Sequence, residues 1–124
     1  MDNETVFYLG NISSAEVSSL VSSAYAFVVL IEKGEPFGLA IAESMACGTP
    51  VIGTALGSHN ELIIDGVTGI KVSSTQDAAR RFSEIRTIDR RACRERARGM
   101  FSLEKMISGY LRVYEKVLKS KKER

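Results

Sequence analysis

Residues 25–54 set two short runs rich in β-branched and aromatic residues, YAFVVLI and PVIGT, on either side of a helix-length apolar segment, LAIAESMAC. Short apolar runs bounded by Gly and Pro read as buried strands, so the order is strand, helix, strand. With connections this short, the two strands pair in parallel through a right-handed crossover. The flanking residues extend the alternation. Residues 6–9, VFYL, read as a first buried strand ended by Gly10 and Asn11. A helix follows, capped by Ser13 or Ser14 with Glu16 in its first turn, and ends near Ala24. Residues 25–31 read as the central strand, 39–47 as a helix closed by Gly48, and 50–54 as the third strand. A short helical segment carrying Glu61, Leu62 and Ile63 opens at Gly57-Ser58, Asp65-Gly66 turns the chain, and residues 69–72 form a fourth strand. From Thr75 onward the pattern is helical, with breaks near Thr87 and Gly99-Met100. Residues 119–124, KSKKER, read as a frayed, solvated end. The expected fold is α/β: one domain over residues 1–124, with a Rossmann-like parallel sheet of about four strands and flanking helices.

Composition narrows the function classes. The chain has 124 residues, 44% hydrophobic and 26% charged, enough for one core without staples. Its net charge of +2 hides an asymmetry: residues 1–79 hold only Lys33 and Lys71 as cations, while residues 80–124 are strongly basic. The basic half reads first as solvating helices that flank an acidic partner face, and it would also suit an anionic membrane surface, but it lacks the interleaved aromatics of nucleic-acid modules, so no nucleic acid is expected. Cys47, Cys93 and His59 are too few for a four-ligand zinc site or a disulfide framework, and both cysteines read as reduced thiols. No apolar run approaches the ~20 residues of a membrane span, and MDNETVFYLG has no signal-peptide character. The expected location is cytoplasmic, with peripheral membrane contact open to the basic half.

The stretch that carries chemistry is EPFGLAIAESMACGTPVIGT, residues 35–54, where a glycine loop leads from a strand straight into a helix. Free N–H groups at that helix start, near Gly38 and Leu39, favour an anion, and Gly38 permits close approach to the backbone. Glu35 precedes the helix and Glu43 lies on it. Eight helical steps would separate them by about 12 Å, beyond the ~5–9.5 Å of paired glycosidase carboxyls. A carboxylate also accepts bonds from vicinal hydroxyls, so Glu43 could grip a ribose diol while Glu35 faces a sugar. Glu43 satisfying a local donor, or simply facing solvent, is the equal alternative on chemistry alone.

Residues 6–72 resemble the second, donor-binding domain of retaining GT-B glycosyltransferases of the group 1, GT4-like family. The resemblance rests on FYLGNIS, YAFVVLI, the Glu-x7-Glu of EPFGLAIAESMACGTPVIGT, and GSHNELIIDGVTGIKV, while residues 90–118 resemble the family's closing helices. It implies that Glu43 binds the ribose hydroxyls of a nucleotide-diphosphate sugar and that Glu35 takes the catalytic position beside the donor sugar. It also implies that Phe37, Gly38 and Leu39 set backbone amides against sugar and diphosphate, with Lys33 adding charge. No metal or other cofactor is implied, and hexosyl transfer would proceed with retention. The acceptor domain would have to come from a missing chain, or the C-terminal helices would self-associate. The alternative is a non-catalytic remnant that binds a partner through those helices.

The chain departs from the family's pattern in three places. Leu30-Ile31-Glu32-Lys33 replaces the usual Pro-Ser after the strand, Ser44 replaces alanine after the second glutamate, and Gly57-Ser58 replaces Gly-Gly. His59, on the short helix after Gly57-Ser58, reads as a surface or capping residue, with ligand contact as the alternative, and Cys47 as packing in the helix-strand corner. The stripe Leu103, Met106, Ile107, Tyr110, Leu111, Tyr114, Val117, Leu118 reads as a core or partner face.

Overall fold

The computed structural model describes residues 5–122. Three parallel strands, β1 (Phe27–Val29), β2 (Val51–Thr54) and β3 (Gly69–Val72), form one sheet in the order β1-β2-β3. Phe27 faces Val51, and Val51 faces Gly69, in register. The helices are α1 (Ser14–Ser23), α2 (Leu39–Ala46), α3 (His59–Leu62), α4 (Thr75–Arg81), α5 (Arg90–Phe101) and α6 (Leu103–Lys122), with a 3-10 helix at Phe82–Thr87. The crossover from β1 to β2 is α2, as the apolar pattern requires.

Local chemistry explains the element ends. Ser13 caps α1 in a full capping box with Glu16, whose carboxylate takes the Ser13 amide at 2.8 Å. Ser44 Oγ donates to the Thr49 carbonyl at 3.0 Å, which gives this departure from the family pattern a purpose in closing α2. The core is Ile41 and Met45 of α2, Val51 and Ile52 of β2, Leu62, Ile63, Ile70 and Val72, closed on one side by Cys93 and Ala97 of α5, which packs along α2. Burial pushes the Cys93 thiol up, which keeps it protonated and inert.

Four expectations change. Residues 6–9 form no strand: Val6, Phe7, Tyr8 and Leu9 are all exposed, because no strand among the described residues lies beside them to take their backbone bonds. Among the described residues the sheet therefore has three strands where about four are expected. β2 rather than β1 is central and fully buried, while Val28 of β1 is half exposed on the open edge. The last break falls at Ser102, not at Gly99-Met100. Finally, α6 runs through residues 119–122 where a frayed end is expected; residues 123 and 124 lie outside the described residues.

α1 has no buried residue and is tied down by polar contacts. Arg90 donates to the carbonyls of Ser22 at 2.6 Å and Ala24 at 2.8 Å and to Thr49 Oγ1 at 2.8 Å, while Thr49 Oγ1 donates to Val21 O at 2.6 Å. Arg90→Ala is expected to cost about 2 kcal/mol, given ~1.5–3 kcal/mol for hydrogen bonds to charged groups. Faster amide exchange confined to α1 is the check, and unchanged protection there would refute the anchoring role.

Candidate functional site

Two loops meet at the carboxyl ends of the strands, residues 30–38 after β1 and 55–58 after β2. They touch backbone to backbone. A Cβ on Gly57 would stand 2.9 Å from Gly34 Cα and 3.0 and 3.1 Å from the carbonyl oxygen and nitrogen of Glu35. Gly57 also has φ +52°, in the left-handed region. The Ser58 amide donates to the Glu35 carbonyl at 3.3 Å, so the second loop fixes the backbone from which Glu35 projects. Ser58, where the family commonly has glycine, is buried, and its hydroxyl has no hydrogen-bond partner.

The Glu35 carboxylate turns inward. Its Oε1 lies 2.9 Å from where a Cβ of Gly38 would be, and 3.1 Å from Nε2 of His59. His59 is fully buried, and its Nδ1 donates to the Thr54 carbonyl at 2.9 Å. This corrects the surface or capping reading of His59. α3 is a single turn, and at Gly53 of β2 a Cβ would meet Ile63 Cδ1 at 2.6 Å and Nδ1 of the ring at 3.3 Å, so the glycine leaves room for both. The Glu35 side chain keeps 40% exposure, so one oxygen is held and the other face is open.

Gly38 caps α2 with φ 89° and offers no side-chain cap; the Ile41 amide turns back to the Gly38 carbonyl at 3.1 Å, which leaves the amides of Leu39 and Ala40 to solvent or ligand. Glu43 is exposed on α2, and its carboxylate has no hydrogen-bond or ion-pair partner among the described residues. It borders a cavity of about 340 Å³ between α1 and α2, with Ile12, Ser14, Val17 and Phe27. It also borders a groove of about 410 Å³ between α2 and α5, with Phe37, Leu39, Arg94, Arg98 and Phe101. A third crevice, about 640 Å³, lies at the strand ends and includes Leu30, Thr54, Ser73 and Thr75.

Phe37 stacks edge-on against Phe101, 5.8 Å between centroids, and Leu39 is 69% exposed. Lys33 is exposed in the loop, with no ion pair among the described residues. Glu43, Phe37 and Leu39 therefore share one groove, whereas Glu35 lines neither cavity that Glu43 borders. Sequence reasoning misplaced His59, which is buried rather than at the surface, and missed Arg94 and Arg98 as neighbours of the site. For the two arginines, the available signal was only their spacing of four on one helix face. Cys47, expected in the helix-strand corner, is half-buried on the wall of the α1–α2 cavity.

Behind the site, Asp65 of the turn before β3 accepts from the Lys71 amide at 2.7 Å and pairs with Arg81. Burial raises its carboxyl, but the Lys71 amide and the Arg81 guanidinium outweigh that and hold it below the usual carboxylate range. Among the described residues no cluster of His, Cys, Asp and Glu could hold a metal ion, and no helix is long and apolar enough to cross a membrane.

The start of α2 and Glu35 thus lie at the carboxyl ends of a parallel sheet, with Glu43 farther along the same helix. Residues 2–100 match the family described as glycosyl transferases group 1. The chain belongs to that family. Among the relatives of this group 1 glycosyltransferase chain, N-acetyl-alpha-D-glucosaminyl L-malate synthase of Bacillus anthracis is 34% identical over 96% of the chain and 32% of its own length. An uncharacterized glycosyltransferase of Methanocaldococcus jannaschii is 32% identical over 88% of the chain and 33% of its own length. The chain thus spans about a third of the length of the curated relatives it matches. In fold it is similar to the sucrose-phosphate synthase of Thermosynechococcus elongatus, with TM-score 0.74 and 26% identity over 95% of the chain and 31% of that protein. It is also similar to HepE of Anabaena, with TM-score 0.68 and 21% identity over 82% of the chain and 30% of that protein.

Proposed function

We infer that the chain is the donor-binding part of a retaining glycosyltransferase, resembling the C-terminal domain of the GT-B fold. It binds a nucleotide-diphosphate sugar and acts on an acceptor held by a domain or chain outside these residues. The observation that carries this reading is Glu43: an unpartnered carboxylate on the wall of the α1–α2 cavity, on the helix whose first two amides, those of Leu39 and Ala40, are free. A ribose diol offers the two donors that such a carboxylate lacks. The leaving diphosphate would meet the amides of Gly38 and Leu39 and the charge of Lys33, an electrostatic role that needs no protein base. The HepE structure similar in fold is a complex with UDP, which supports a nucleotide diphosphate as the ligand class. Glu35 would accept from a hydroxyl of the donor sugar. The site would work in the cytoplasm, with the basic C-terminal half against an anionic membrane surface where the acceptor is a lipid.

Calorimetric titration with UDP-, GDP- and ADP-sugars tests this. Saturable binding to one of them is expected, weakened at least several-fold in Glu43→Ala, given ~1–3 kcal/mol for a lost hydrogen bond to a charged group. Unchanged affinity in the variant would refute the assignment.

A second reading is favoured by α6, where Leu103, Met106, Ile107, Tyr110, Leu111, Tyr114, Val117 and Leu118 are all exposed. Such a stripe fits a partner surface, whether of the acceptor domain, a second copy or an unrelated protein. Stoichiometric partner capture by a chain that binds no nucleotide sugar, with Glu35→Ala and Glu43→Ala both without effect, would select it.

A further inference from the structure

His59 is the chain's one histidine, and it is fully buried with both ring nitrogens engaged. Proton counting shows how. The Thr54 carbonyl only accepts, so the proton on that side belongs to Nδ1. A neutral ring with Nδ1–H would then turn the Nε2 lone pair onto Oε1 of Glu35, 3.1 Å away, and an ionised carboxylate has only lone pairs to return. A bond at that distance needs a second proton, shared between Nε2 and Oε1. With it, the ring becomes a rigid link from the β2 end to one oxygen of Glu35, while the other oxygen has no partner among the described residues and the side chain stays 40% exposed.

We propose that His59 is the positioning residue of Glu35: it fixes the carboxylate rotamer so that the free oxygen meets a hydroxyl of the donor sugar. The proposal rests on the donor-site reading above. His59 itself is sealed from ligand, so it acts only through Glu35. Its effect should fall on recognition of the sugar and spare the nucleotide, which Glu43 and the start of α2 would bind. A histidine that merely filled the core would move both together.

The test uses the whole chain, Glu35→Gln, His59→Gln and Glu43→Ala, with two readouts. The ring ¹⁵N spectrum, unambiguous with a single histidine, is expected to show both nitrogens protonated or sharing protons in the wild type. In Glu35→Gln it should revert to a single proton on Nδ1; an unchanged spectrum overturns the link. The second readout is titration with UDP against UDP-glucose, GDP against GDP-mannose and ADP against ADP-glucose. His59→Gln should lose about tenfold in affinity for the sugar nucleotide, the scale of one charged hydrogen bond, and keep its affinity for the diphosphate. Glu43→Ala should weaken both. Equal losses on both ligands in His59→Gln overturn the positioning role while the donor site stands. A wild-type chain that binds neither ligand overturns the donor site and this role with it.

Discussion

Gly69→Ala is expected to remove roughly 3 kcal/mol or more of stability, the upper end of the usual overpacking range, from a domain whose total is on the order of 5–15 kcal/mol. A Cβ at Gly69 would overlap the carbonyl oxygen of Val51, its register partner, and stand 3.0 Å from that residue's nitrogen and carbonyl carbon. These are backbone atoms of the central strand, so no side chain can swing aside. Val51 is fully buried and its amide donates to the Thr68 carbonyl at 3.2 Å, and the Phe27 amide of β1 donates to the Pro50 carbonyl at 2.9 Å, so moving β2 would disturb both neighbours. Gly109→Ala on α6 is the control: nothing lies within 4 Å of its Cβ position, and alanine should gain up to about 1 kcal/mol from helix propensity. Urea denaturation reads both. A Gly69→Ala unfolding free energy within about 1 kcal/mol of wild type would show that the strands part more easily than their geometry implies.

What was legible in the sequence followed from local chemistry. The Ser13/Glu16 box, the Gly48 end of α2 and the β1-α2-β2 crossover each depend on residues within a few positions of one another. The misreadings share a non-local cause. Residues 6–9 have strand character, but a strand exists only beside a partner, and the described sheet offers none. Gly99 looks like a break, yet α5 runs through it to bring Phe101 against Phe37. The stop comes at Ser102, whose hydroxyl takes the Lys105 amide at 3.3 Å to start α6. His59 was misread as a surface or capping residue because its burial depends on β2, on another element, and its partner Glu35 lies 24 positions away. At the site, the two glutamates and the glycine between them were readable as a motif, whereas the loop-on-loop contact that aims Glu35 was not.

That contact makes Gly57→Ala the most telling functional substitution. The left-handed φ of +52° alone costs a non-glycine residue roughly 1–2 kcal/mol. The added Cβ would also press on Gly34 Cα and on the nitrogen and oxygen of Glu35, all within 3.1 Å, so the 34–35 loop must shift. Glu43 sits on α2 and borders the α1–α2 cavity, away from this contact, so nucleoside-diphosphate affinity should fall only by what Lys33, next to the shifted loop, contributes, while sugar-nucleotide affinity falls about tenfold or more. The same displacement breaks the Glu35–His59 bond, so the ring spectrum should approach that of Glu35→Gln. If Gly57 acts through Glu35, the two changes share one effect and will not add: Gly57→Ala in a Glu35→Gln background should lose little further sugar affinity. Full additivity would mean that the glycine loop touches the donor directly, and that its close approach to the backbone of Glu35 is incidental to recognition.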